Sequence, residues 1–295
     1  MTNMIETNRE KLLEIGVIGE ITHPAIDSRY VNNWEGKPSV GLGMGGIIYN
    51  VKPGDNCFDW AWGEKVEPGV SVDGIGNDRA KGSFRNFSCI GNRAKLVKGE
   101  AKNEEGIVVG KVGGLPDRMH HVIIYFKEDV LNDLAIGDKV QVRSIGVGLK
   151  FTDYPEIRSV GISPRLLDTM GLKDADGQLE VPVTTVIPAE YVGMGSGGAP
   201  VESSSWNVMT QSPDALNHLK NVKLGDIVAL KDILSAWGRG YYEEAYTIGV
   251  VSTGSSSKLG QGIGVTTIMT CKQGEITPLL EPDANIGNYF QIGGS

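Results

Sequence analysis

The sequence predicts a mainly β protein with short helices, built around an internally duplicated, β-barrel-like core whose Gly-Asp turns follow short helices. Two observations carry that prediction. Glycine stands at 41 of 295 positions, about twice ordinary usage, and falls singly or in pairs between short Val/Ile runs, as turns and bulges punctuate strands. The stretches beginning at Gly110 and Gly193 also repeat one another. Gly113/Gly197, Pro116/Pro200, Leu131/Leu216, Leu134/Leu219, Gly137/Gly225, Asp138/Asp226 and Val140/Val228 pair at offsets of 84 to 88, and the offset continues to Gly161/Gly249.

Each copy reads the same way. A Gly-Gly loop leads into a short strand, and a short helix then opens on Lys127-Glu128-Asp129 or on Ser212-Pro213-Asp214, where acidic residues, Ser and Pro suit a first turn. Leu131 and Leu134, like Leu216 and Leu219, fall three apart and share a helical face. A Gly-Asp turn launches the next strand, 139–142 or 227–230: Gly takes the left-handed backbone and the Asp carboxylate accepts turn amides. A helix, Gly-Asp and a strand occurring twice resembles the Gly-Asp box of cradle-loop and double-psi barrels, where two halves interlock about a pseudo-two-fold axis. The alternative is ordinary hairpin turns in a sandwich. The chain accordingly divides into a β-rich part, 1–105, and a duplicated barrel-like part, 106–295, with repeat units at about 108–163 and 192–251.

The flanking pieces are read similarly. Residues 1–100 suggest strands and turns with little helix, and Pro53-Gly54 and Pro68-Gly69 mark turns. A short helix starts at Ser163-Pro164, a strand over 179–187 is interrupted by Pro182, and a final hairpin turns about Lys272-Gln273-Gly274.

Composition excludes several classes. Lys plus Arg number 28 against 36 for Asp plus Glu, a net charge of −8, which is unfavourable for a protein that neutralises nucleic-acid phosphates. The three cysteines, Cys57, Cys89 and Cys271, lack CxxC spacing and read as free thiols of a reducing compartment. No apolar run reaches the length of a membrane helix and the polar N-terminus is no signal peptide, so the expectation is a cytoplasmic protein without a membrane partner.

The segments GGIIYNVKPGD, VEPGVS, CIGNRAKLVKGEAK, VPVTTVIPAE, GMGSG, LGDIVAL, WGRGYY, TIGVV and GVTTIMT follow one another in order. Together they resemble the two-part prokaryotic family catalogued as domain of unknown function 4438. The resemblance runs from about Gly36 to Asn285 and implies N- and C-terminal parts and no particular activity. It also implies a departure. The family pattern carries histidines at the positions that hold Lys65, Val112, Ala236, Thr253 and Gln261 here, while His23 and His121 are retained. If those positions converge in space, this chain has lost or changed a histidine site.

Candidate site residues follow from their chemistry. Lys111, Gly113, Gly114, Gly195, Ser196, Gly197, Arg239 and Gln261 are the ligand-binding candidates: glycine loops can aim amides at an anion, and an Arg beside Trp237, Tyr241 and Tyr242 offers a fork and a stacking wall. Neither glycine loop is a phosphate or dinucleotide fingerprint, so no cofactor is expected. Lys65, Cys89 and Asp232 are the catalytic candidates. For Cys89 the competing reading is a small buried hydrophobe. The four histidines show no ligand spacing, so no metal site is expected, and Asp73, Asn77 and Asp78 read more simply as a solvated turn than as a calcium site. The functional expectation is a binder of a small polar or anionic metabolite, with hydrolase or lyase chemistry if it is catalytic. The alternative is a non-catalytic structural or binding subunit, and a homo-oligomer is expected in either case.

Overall fold

The computed structural model describes residues 5–24, 30–33, 35–40, 45–58, 60–61, 64–113, 120–193, 201–203, 205–236 and 240–293. The first half of the chain forms β1 (Ile15–Ile21), β2 (Tyr30–Asn32), β3 (Pro38–Val40), β4 (Val70–Gly74), α1 (Asp78–Phe87), β5 (Arg93–Lys98), β6 (Glu105–Val112), β7 (His121–Tyr125), α2 (Glu128–Leu131) and β8 (Lys139–Ser144). Six of these strands close into a barrel in the order β1-β4-β7-β6-β5-β8. Its core includes Val70, Val72, Leu96, Val122, Ile124, Val140 and Val142, all buried. Strand alternation sends these Val/Ile/Leu side chains to one side.

The second half forms β9 (Ile157–Ser159), α3 (Pro164–Thr169), β10 (Lys173–Ala175), β11 (Gln178–Val183), β12 (Thr185–Ile187), β13 (Ser205–Met209), α4 (Pro213–Leu219), β14 (Ile227–Leu234), β15 (Gly240–Thr253), β16 (Gly262–Cys271), β17 (Ile276–Leu280) and α5 (Ile286–Phe290). A second sheet runs β12-β14-β15-β16-β13, with β9 also paired to β16, and a small sheet runs β10-β11-β17. The second sheet lies against the barrel. A Cβ on Gly110 of β6 would stand 2.6 Å from Cβ of Ser252 in β15, so only glycine allows this approach.

The Gly-Asp units form as the sequence predicts. Gly137 and Gly225 have φ of 94° and 85°. Asp138 accepts the Ala135 N–H at 2.9 Å, and Asp226 accepts the Lys223 N–H at 2.9 Å. The surroundings also correspond: β8-β5-β6-β7 in the barrel has the same neighbour order as β14-β15-β16-β13 in the second sheet, antiparallel throughout. The connectivity differs. The β5–β6 hairpin precedes its strand–helix–strand unit, whereas the β15–β16 hairpin follows its own.

That permutation corrects two expectations. The two copies lie in separate sheets and do not interlock in one barrel, because β1 and β4 close the first copy while β12 lies parallel to β14 in the second. The repeat does not reach Gly161/Gly249: Gly161 sits in a turn, with φ of 63°, and Gly249 lies within β15. Barrel closure takes β1, β4 and β5 together with β6, β7 and β8.

Smaller corrections have local causes. The ten-residue α1 lies in a region expected to hold little helix; it is capped by Asn77, whose side chain accepts the Ala80 N–H. Pro182 does not interrupt its strand: β11 continues across it, paired in parallel with β17. That pairing also takes β17 away from β16, so no final hairpin forms about Lys272-Gln273-Gly274.

Candidate functional site

Strand β13 is the spine on which the chemistry-bearing residues gather. Its sequence, SWNVM, buries Trp206 and Val208 and leaves Asn207 half-buried. Opposite it in β16, Ser205 pairs with Thr266, Asn207 with Gly264 and Met209 with Gly262. The two glycines are required by close approach: a Cβ on Gly262 would lie 1.9 Å from the Val208 carbonyl oxygen, and one on Gly264 would lie 2.4 Å from Oγ1 of Thr253.

Lys65 reaches this strand from the segment before β4. Its backbone φ is 50°, an unusual left-handed conformation for a side-chain-bearing residue. Its N–H donates to the Ser255 carbonyl at 2.9 Å, and its buried ammonium donates to Oδ1 of Asn207. Beside it, the Glu64 carboxylate accepts the Ser257 N–H and hydroxyl, so residues 64–66 and 254–257 brace one another.

Lys111 comes from the barrel side. Its N–H donates to Oγ1 of Thr266 at 3.0 Å, and its fully buried ammonium donates to the Glu202 carbonyl. Burial lowers its pKa to about 8, against the opposing pull of Cys89 and Glu202. Glu202 also takes Arg158 on its carboxylate, at 2.5 Å. The next glycine, Gly113, accepts the Ser205 N–H at 3.4 Å, and Gly193 donates its N–H to the Asn207 carbonyl at 2.7 Å. A Cβ on Gly193 would meet the Gly260 carbonyl at 2.5 Å, which places the Gly260–Gln261 turn against the same strand.

A second cluster lies at the barrel edge. Buried Glu67 holds Nε2 of His121 at 2.7 Å on one oxygen and the Ser71 hydroxyl at 2.8 Å on the other. Gly46 donates its N–H to that hydroxyl at 3.0 Å. His121 pairs across the ladder with Val112, the neighbour of Lys111. The serine faces the carboxylate and not the imidazole, so this is no nucleophile relay. It is an acid/base pair whose carboxylate orients the ring.

Of the candidates from sequence, Lys65, Lys111, Gly113 and Gln261 are brought to β13. Gly114, Gly195, Ser196, Gly197 and Arg239 lie outside the described residues. Cys89 and Asp232 are not brought to the site. Cys89 is fully buried and its thiol is pushed up to about 11 by burial, which suppresses the thiolate a nucleophile needs. Asp232 has φ of 58° at a register shift between β14 and β15, where its carboxylate accepts the Glu244 N–H at 2.8 Å, a turn-stabilising role. The solvated-turn reading of Asp73, Asn77 and Asp78 is corrected: Asp73 lies in β4 and is held by Arg85 at 2.9 Å, Asn77 caps α1, and Asp78 is the first residue of that helix. Among the described residues no three His, Cys, Asp or Glu side chains converge as metal ligands, and no helix is long and apolar enough to cross a membrane. Sequence reasoning missed Asn207, Glu67, Ser71, Glu202 and Arg158. Only the i, i+4 spacing of Glu67 and Ser71 offered a signal.

A model of the DUF4438 N-terminal domain, a domain of unknown function, matches residues 30–168, and a model of the DUF4438 C-terminal domain matches residues 169–290. The chain belongs to the DUF4438 family. The boundary between the two family domains falls at the end of α3, after the barrel is complete. The fold is similar to the crystal structure of TM1086, with a TM-score of 0.90 and 38% identity over 97% of this chain and 99% of that one. No curated protein matches.

Lys65, Val112, Ala236, Thr253 and Gln261, the positions expected to have lost histidine, are strung along β13 and do not meet at one point. Lys65 bonds Asn207; Val112 precedes Gly113, which bonds Ser205; Gln261 precedes Gly262, which pairs with Met209. Thr253 accepts the N–H of Gly264, the partner of Asn207, at 3.0 Å. Ala236 follows Ser235, whose hydroxyl accepts Nε1 of Trp206 at 2.6 Å. Every one is within a residue or two of β13.

Proposed function

We propose that the protein binds a small anionic metabolite alongside β13, between Lys65, Lys111 and the Gly113, Gly193 and Gly260 turns. The observation that carries this reading is the burial of two lysines beside β13: Lys65 on Asn207, and Lys111 against Thr266, the ladder partner of Ser205. Lys111 donates its ammonium to a neutral backbone carbonyl. A buried cation resting on a neutral acceptor pays a desolvation cost that an incoming anion offsets.

Binding without catalysis is the form of this proposal that the side chains favour. Val112, Ala236, Thr253 and Gln261 cannot exchange a proton near neutral pH. Hydrolase or lyase chemistry would fall to Glu67 and His121, the one carboxylate–imidazole contact among the described residues. A role as a non-catalytic subunit of a homo-oligomer is compatible with the same site.

The test is a thermal-shift screen of wild type, Lys65→Met and Arg239→Ala against phosphate, malate, citrate and a wider metabolite library. A ligand at a hundred times its dissociation constant stabilises the native state by about 2.7 kcal/mol. Stabilisation lost in Lys65→Met supports the reading. Hits that persist unchanged in both variants remove it.

A further inference from the structure

A cavity of about 930 Å³ opens between the 146–151 loop after β8, the end of α1, and the β9, Leu234 and Thr270 edge of the second sheet. That size accommodates a metabolite-sized ligand. It shares Glu202 and Ala236 with the surroundings of β13, yet contains neither Lys65 nor Gln261.

Its walls have two characters. Phe87, Val147 and Leu234 give an apolar surface over the buried Leu149 and Phe151. The charges are Lys150, Arg158 and Lys272 against Glu156 and Glu202, so three cations face two carboxylates and one positive charge is left over. Arg158 is committed to Glu202 and to the Ala236 carbonyl. The ammonium of Lys272 stands 4.9 Å over the Tyr242 ring at the exposed rim. A single excess positive charge above an apolar wall is complementary to one acidic group on an apolar body.

We infer that this cavity is a binding site for an amphipathic monoanion, with the acidic group at Lys272 and Lys150 and the apolar body against Phe87, Val147 and Leu234. It is distinct from the β13 site, and the two are tested separately.

The probe is 8-anilinonaphthalene-1-sulfonate, titrated by fluorescence into wild type, the double variant Lys150→Gln/Lys272→Gln, and Lys65→Met. Both rim lysines are on the surface, so the double variant folds as the wild type does. The inference expects saturable binding with one site, weakened about tenfold in the double variant and unchanged in Lys65→Met. Octanoate should displace the probe, and octanol at the same concentration should not. Non-saturable binding, an unchanged constant in the double variant, or equal displacement by octanol would each overturn it. Loss of binding in Lys65→Met would place the probe at β13 and overturn it as well.

Discussion

The ammonium of Lys65 donates to Oδ1 of Asn207, joining residues 142 positions apart. This contact pins the segment before β4 onto β13. Asn207→Leu should therefore destabilise the protein by about 2 kcal/mol, the usual cost of removing a partner from a buried polar group. Lys65→Met/Asn207→Leu should recover part of that loss, because an apolar pair in place of a buried polar one is close to neutral. Urea denaturation of the two single variants and the double variant measures the coupling.

Lys111 makes stability depend on alkaline pH. Its folded pKa of about 8 lies below the unfolded value of 10.5, so between these values the unfolded state holds more protons and stability rises with pH. Relative to Lys111→Met, wild type should gain about 1 kcal/mol from pH 8 to pH 9. Cys89 acts oppositely: its thiol, raised to about 11, withdraws stability as pH climbs above 9. Denaturation midpoints at pH 7, 8 and 9 therefore isolate the lysine. A difference between the two proteins that stays flat over this range would contradict the burial of the charge.

The two Gly-Asp turns are alike in backbone and unlike in surroundings. Asp226 accepts the Lys223 N–H and also Nδ2 of Asn285 at 2.7 Å, while burial raises its pKa. Asp138 has the Ala135 N–H as its turn bond. Asp226→Ala should cost about 2–3 kcal/mol and Asp138→Ala about 1 kcal/mol. Equal losses would mean that the Asn285 contact contributes nothing.

Gly110 keeps barrel and second sheet in contact. Gly110→Ala would drive its methyl against Ser252, and an overpacked seam costs about 1–3 kcal/mol. Gly54, φ of 96° with open space around its Cβ position, isolates backbone strain without overpacking. Calorimetry of Gly110→Ala and Gly54→Ala separates packing from backbone strain.

Much of this architecture is legible in the sequence, because turns and periodicity are local. Gly137-Asp138 and Gly225-Asp226 announce their helices and strands through chemistry confined to a dozen residues. What escapes is long-range. Nothing within the sequence of β5–β6 or β15–β16 says that one hairpin precedes its unit and the other follows, since both orders yield the same neighbours. The same limit applies to the site. Lys65, Lys111 and Gln261 stand out as residues, but Asn207 looks like any polar strand position until β13 is seen to meet three separate loops. For Cys89 the sequence offers both a thiol nucleophile and a small buried hydrophobe, and the burial that decides for the second is set by Gly146 and its neighbours far along the chain.

The gathering of distant glycine turns on β13 is tested most directly by amide chemical-shift mapping with an anion that stabilises the protein. Titrating it into isotope-labelled wild type should shift the Gly113, Gly193, Asn207 and Gly260 amides together, with one common dissociation constant, and leave Asp232 and Gly137 unmoved. Shifts that titrate with different constants, or that avoid Asn207 altogether, would contradict a single site on this strand.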